Sequence, residues 1–302
     1  MTLPAQQKAS RMTDSTVGDT IDNHISDLEN AVADILGISL DTNINDPITP
    51  QPWGHRGLRC ENLGGTSTNT MDLGADIYSF YAPGLPSYRR IPASNIACGM
   101  QVFGAGGRDQ AGAFANSSWI HFYTIFNPTS GSILTISSLT PPPTGPTLPS
   151  GFTHWCYMLP VLLNAFGNLS LVVARGNWVW YRGPGYGLLA NGIATTNTSL
   201  ATPLASAIPP NALNFQVQAQ LSSSSISTGG QDDLALSVAA AGVDFIRPCL
   251  INPSPLVLDG SRETFVVPNI SRQLWYRIFR GSTGGVVQAN ISVLGYQVPN
   301  GG

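Results

Sequence analysis

Five apolar side chains, Ile21, Ile25, Leu28, Val32 and Ile35, follow one another at steps of four and three residues, the spacing of a coiled-coil seam. Asp19 or Thr20 can cap the helix this predicts, Asp22 complements its positive end, and Gly37 stands where a left-handed terminator belongs. The helix is therefore expected over residues 19–36. As heptads, Ile21, Leu28 and Ile35 take d and Ile25 and Val32 take a, a mixture that leaves the number of strands open, a trimer included. Leu36 and Ile38 widen the stripe toward that of a helix lying on its own domain, so self-association and intramolecular packing both satisfy the pattern. A helix this short needs one of them to be stable.

From about Leu58 onward the apolar period changes to two. Leu213, Phe215, Val217, Ala219 and Leu221 alternate with Asn214, Gln216, Gln218 and Gln220, which predicts a strand with one face in a core and an amide face in water. Over Gln273–Arg280, Leu274, Tyr276 and Ile278 alternate with Trp275, Arg277 and Phe279, so bulky groups on both faces predict contact on both. Ala289–Val298 reads as a closing strand. A hairpin is expected where LSLVVA turns through Arg175, Gly176 and Asn177 into WVWYR, because Gly and Asn tolerate left-handed angles.

The segment TPPPTGPTLPSG, residues 140–151, cannot supply ladder hydrogen bonds at its prolines and is either a loop between sheets or a hinge between two β-domains. The strand runs before it, such as Trp119–Phe126 and Ile133–Ser138, are few for a separate core and favour the loop. Short strands separated by turn residues at intervals of about ten predict an all-β, jelly-roll-like antiparallel β-sandwich. It would occupy residues 46–302, behind an N-terminal attachment segment of residues 1–45.

Composition narrows the partners. Charged residues make up 10 % of the 302, against about a quarter in ordinary globular domains. The basic residues are thirteen Arg and the single Lys8, with no basic stripe to neutralise a phosphate backbone, which argues against nucleic acid. Residues 1–45 carry two basic and seven acidic side chains, a net charge of −5 in a chain of −3 overall, so the rest of the chain is +2. That acidic segment suits either a basic receptor surface or plain solvation. The opening MTLPAQQKAS lacks the apolar core of a secretory signal, and no stretch reaches the ~20 apolar residues that span a bilayer, so folding in a cytoplasm without membrane insertion is expected. Cys60, Cys98, Cys156 and Cys249 are too far apart for a zinc cluster or redox pair and are expected as buried free thiols.

Signatures of catalysis are missing: there is no nucleophile elbow, metalloprotease helix, phosphate loop or dinucleotide fingerprint. His24, His55, His121 and His154 are scattered and are expected as core or surface imidazoles, with no metal or cofactor. The adjacent pair Asp232 and Asp233 follows a Gly-rich stretch and is expected at a loop tip, where it poorly meets the separation that glycoside hydrolysis requires. A distant pair such as Asp244 with Glu263 leaves a hydrolase as a minor alternative. Trp178, Trp180, Tyr181 and Tyr186, among Gly183, Gly185 and Gly187, could form a platform for sugar rings, with Trp178 and Trp180 on one strand face. Packing in a core or against another subunit is the competing expectation for such strand aromatics.

The stretch SSWIHFYTIFNPTSGSILTISS, the proline run, and LPSGFTHWCYMLPVLLNAFGNLSLVVARGNWVWY together resemble a recurrent module of tailed-bacteriophage fibre, tail and head-appendage proteins. The resemblance covers Ser117 to Tyr181 and extends more loosely through ISVLGYQV. Where such modules often carry basic residues after the LPSG turn, this chain has His154, Trp155, Cys156, Tyr157 and Met158, which implies a more buried or interfacial strand. The resemblance implies a virion structural protein assembled in the host cytoplasm: a homotrimer, anchored to other virion proteins through residues 1–45, displaying its β-body for attachment to host-surface glycans. A decoration or adaptor protein without a host ligand, and a tailspike-like depolymerase, are the alternatives. Weak sites repeated on a trimer gain avidity by multivalency, so attachment requires no single strong site.

Overall fold

In the computed structural model, residues 54–299 are described, apart from residues 86, 93, 183–185, 194–199, 225, 239–245, 252–258 and 271. The seam Ile21, Ile25, Leu28, Val32 and Ile35, and His24, lie outside the described residues.

The body is all-β. Its first part contributes β1 (His55–Arg56), β2 (Leu58–Asn62), β3 (Thr70–Leu73), β4 (Ile77–Phe80), β5 (Tyr88–Arg90), β6 (Ile96–Gly99) and β7 (Gly107–Arg108). The middle contributes β8 (Ser118–Asn127), β9 (Ser132–Ser138), β10 (His154–Leu163), β11 (Val172–Gly176), β12 (Trp178–Tyr181), β13 (Tyr186–Ile193) and β14 (Leu200–Pro203). The last part supplies β15 (Asn214–Ser224), β16 (Asp232–Ser237), β17 (Ile246–Ile251), β18 (Asp259–Pro268), β19 (Gln273–Arg280) and β20 (Val286–Gln297). The one helical element among the described residues is a 3-10 turn at Leu63–Gly65, so no described helix is long and apolar enough to cross a membrane.

Nine of these strands form one sheet, in the order β18-β15-β20-β12-β11-β2-β3-β6, with β13 also paired to β20. Three smaller sheets accompany it: β10-β8-β9-β7, β14-β19-β16-β17 and β1-β4-β5. Apolar alternation decides which face of the long sheet is covered. Phe215, Val217, Ala219 and Leu221 of β15, with Val287, Ala289, Ile291 and Val293 of β20, are buried in one core with Leu234 and Leu236 of β16 and Ile120 and Phe122 of β8. Near the centre, Tyr296 of β20 donates its hydroxyl to Pro160 O of β10 at 2.7 Å and meets Trp119 edge-on, which ties the long sheet to β8 and β10. The result is a β-sandwich.

All ten residues of β10 are buried. One side of its sheet faces the main core; on the other, Tyr123, Ile125, Ile136, Trp155 and Tyr157 form a second apolar cluster with Leu148 and Phe152 packed against it. Leu148 and its proline-rich neighbours therefore lie over this sheet, held by the Tyr123 hydroxyl donating to Thr140 O (2.6 Å) and by Thr147 N–H donating to Asp109 (3.1 Å). The strand after the LPSG turn is buried, as its residues His154, Trp155, Cys156, Tyr157 and Met158 imply. The second face of β19 is covered less fully than its bulky residues suggest: Leu274 and Ile278 are buried, whereas Phe279 is 39 % exposed.

Candidate functional site

The hairpin of β11 and β12 is closed by a two-residue turn, Gly176 and Asn177, with Gly176 at φ +64° and Arg175 opposite Trp178. Alternation along β12 then sends Val179 into the core and leaves Trp178 and Trp180 half-buried on the outer face of the long sheet. Their indole rings stack, with centroids 5.0 Å apart and planes 12° from parallel. Trp180 is opposite Gly295 of β20. A Cβ at Gly295 would stand 2.7 Å from Trp180 Cε3, so the absence of a side chain there makes room for the indole.

Beside this pair the outer face is an amide and hydroxyl lattice. Gln297 lies opposite both Trp178 and Asn214, and Asn214 Nδ2 donates to its Oε1 at 2.5 Å. Gln218 lies between Ser292 and Thr264, and Gln220 between Asn290 and Arg262. On the other flank, Arg175 lies between Trp178 and Arg59. Arg59 is paired with Asp76, while Arg175 is exposed, donates to Ala174 O at 2.7 Å, and has no carboxylate partner among the described residues. Stacked indoles between hydrogen-bonding amides and a guanidinium can hold a flat, hydroxyl-rich ligand: the rings meet its C–H faces and the polar groups its oxygens.

Of the four candidate platform residues, Trp178 and Trp180 stand together. Tyr181 is on the opposite side of β12, its hydroxyl donating to Ala207 O at 2.6 Å and its ring edge-on to Tyr296. Tyr186 pairs with Val293 through its backbone, and its side chain lies outside the described residues. Arg175, Gln297 and Gly295 complete the site without having been singled out. The hairpin spacing alone places Arg175 beside Trp178, but no local signal brings Gln297 across the more than one hundred residues to the same row.

The other described candidates are built into the fold. Asp232 and Asp233 are buried at the start of β16 and not at a loop tip, and consecutive strand residues face opposite ways. Asp232 accepts from Gly281 N, Ser282 N and Ser282 Oγ at 2.7–2.9 Å, anchoring the turn after β19. Asp244 lies outside the described residues, so its pairing with Glu263 does too. His55, His121 and His154 are all buried. Burial lowers the pKa of His55 to about 4, against the pull of its bond to Tyr157 O, and lowers that of His121 to about 4. All four cysteines are buried free thiols, and burial pushes Cys60, Cys98 and Cys156 up to about 12. No group of three or more His, Cys, Asp or Glu is placed to hold a metal ion among the described residues. An apolar hollow of about 210 Å³ between Leu236, Val238, Phe265, Val267 and Leu274 has no titratable side chain in its lining.

No protein-family model matches the chain, and no curated protein is similar to it in sequence. The fold that the structure defines is an all-β sandwich.

Proposed function

We propose that the chain is a virion structural protein of a tailed bacteriophage, a homotrimeric fibre or appendage anchored through residues 1–45, whose β-sandwich attaches to host-surface glycans. The observation that carries the reading is the Trp178–Trp180 stack on the outer sheet face, bordered by the amides of Gln297 and Asn214. Aromatic faces beside neutral hydrogen-bonding groups suit sugars, which offer apolar C–H faces and hydroxyls together. The low charge of the chain and its resemblance to phage appendage modules support the same reading. Three copies on one trimer would turn weak single contacts into firm attachment.

The competing reading is a decoration or adaptor protein that covers the same face with another virion protein. Val266, 53 % exposed and opposite Gln216, is the feature it accounts for better. Two measurements on the full chain decide between them. Light scattering should give the mass of a trimer, and immobilised host envelope polysaccharide should retain the wild type but release Trp180→Ala. A monomer would sink the fibre reading, and uniform silence on glycans would favour decoration.

A further inference from the structure

The outer face holds an electrostatic oddity beside its aromatic pair. Arg175 and Arg59 lie directly opposite one another on adjacent strands, an arrangement that costs energy when like charges share a sheet face. Asp76 compensates Arg59. Arg175 keeps an exposed guanidinium, bonded to the carbonyl of its own neighbour, immediately across from Trp178. A guanidinium offers a fork of donors matched to a carboxylate, and one held beside a stacking surface can read ring and acid of one sugar together.

We infer that the glycan taken by this face is an acidic one, its ring packed against the Trp178–Trp180 stack and its carboxylate bound by Arg175. This rests on the glycan-attachment reading and names its ligand class. The amides of Gln297 and Asn214, on the opposite side of Trp178 from Arg175, would take ring hydroxyls, so the site has a charged end and a neutral end. Arg262, beside Gln220 and six residue pairs along the strands from the Asn214–Gln297 row, is too far from the indoles to serve the same sugar and would meet a later residue of a chain.

The test is an array in which each acidic oligosaccharide, bearing galacturonate, glucuronate or sialate, sits beside its own methyl ester, probed with the full chain. The ester keeps the ring, removes the charge and adds one methyl group, whose bulk the Arg175 variant controls for. At least one acid should be retained about tenfold or more better than its ester, the size expected for a charge-assisted bidentate contact. Arg175→Gln should erase that difference, and added salt should narrow it in the wild type. Trp178→Ala should lose both ligands, with Trp178→Phe restoring part and thermal melting showing that each variant folds. Equal retention of acids and esters, both lost in Trp178→Ala, would overturn the role of Arg175 and leave glycan attachment standing. Silence across the array would overturn both.

Discussion

His55 and His121 sit where a proton is costly, because burial strips the charged ring of water and no acid among the described residues stands beside either to stabilise an imidazolium. His121 Nδ1 lies 3.1 Å from the Tyr157 hydroxyl, which also receives Asn211 Nδ2 at 2.9 Å. Their folded pKa of about 4 is below the ordinary 6.5, so the unfolded chain takes up protons first as the pH falls. Stability is therefore fully present above pH 6.5 and is lost between there and about 4, by about 3 kcal/mol for each ring at the low end. Thermal melts across this range should show the decline, and His121→Gln should flatten it while lowering stability at neutral pH. An unchanged slope in that variant would remove His121 from the account. The thiols make a second prediction at this scale. A group whose pKa is pushed up to about 12 holds almost no thiolate at neutral pH, so Cys60, Cys98 and Cys156 should resist a thiol reagent in the folded protein and react on unfolding.

At the scale of the element, β15 separates the contributions of its two faces. Phe215 is fully buried, and truncation to alanine should cost about 3–5 kcal/mol, whereas Gln218→Ala on the outer face should stay within about 0.5 kcal/mol. Denaturant titration of the two variants checks this, and similar costs would mean that the amide face is covered in solution. The alternation of Leu213 to Leu221 made that strand legible in the sequence, and Gly176 with Asn177 made the β11–β12 hairpin legible, because both signals are local. Three things were not. The burial of Asp232 depends on donors from the turn at Gly281 and Ser282, which lie across a strand pairing. The side taken by Tyr181 follows from alternation once β12 is known, but clustering of aromatics in the sequence suggested one platform. The seating of Trp180 depends on Gly295, which reaches it only through the register of β20.

For the whole molecule, scarcity of charge sets the response to ionic strength. The ion pairs found among the described residues, Arg59–Asp76 and Arg182–Glu61, are both solvent-accessible, and such pairs contribute at most ~1 kcal/mol each. Raising salt from about 0.05 to about 1 M should therefore shift the melting temperature by less than about 3 °C. A larger fall would reveal further electrostatic contacts. The order of strands has a further consequence for how the protein is made. β20, the last of the described strands to leave the ribosome, lies inside the long sheet, between β15 on one side and β12 and β13 on the other. Until it emerges, β15 with β18 and β12 with β11 are two half-sheets with a gap between them and bare edges facing it. Those edges are the kind that capture strands from neighbouring nascent chains, so yield in the cell should depend more on protecting them during synthesis than on the stability of the finished sandwich.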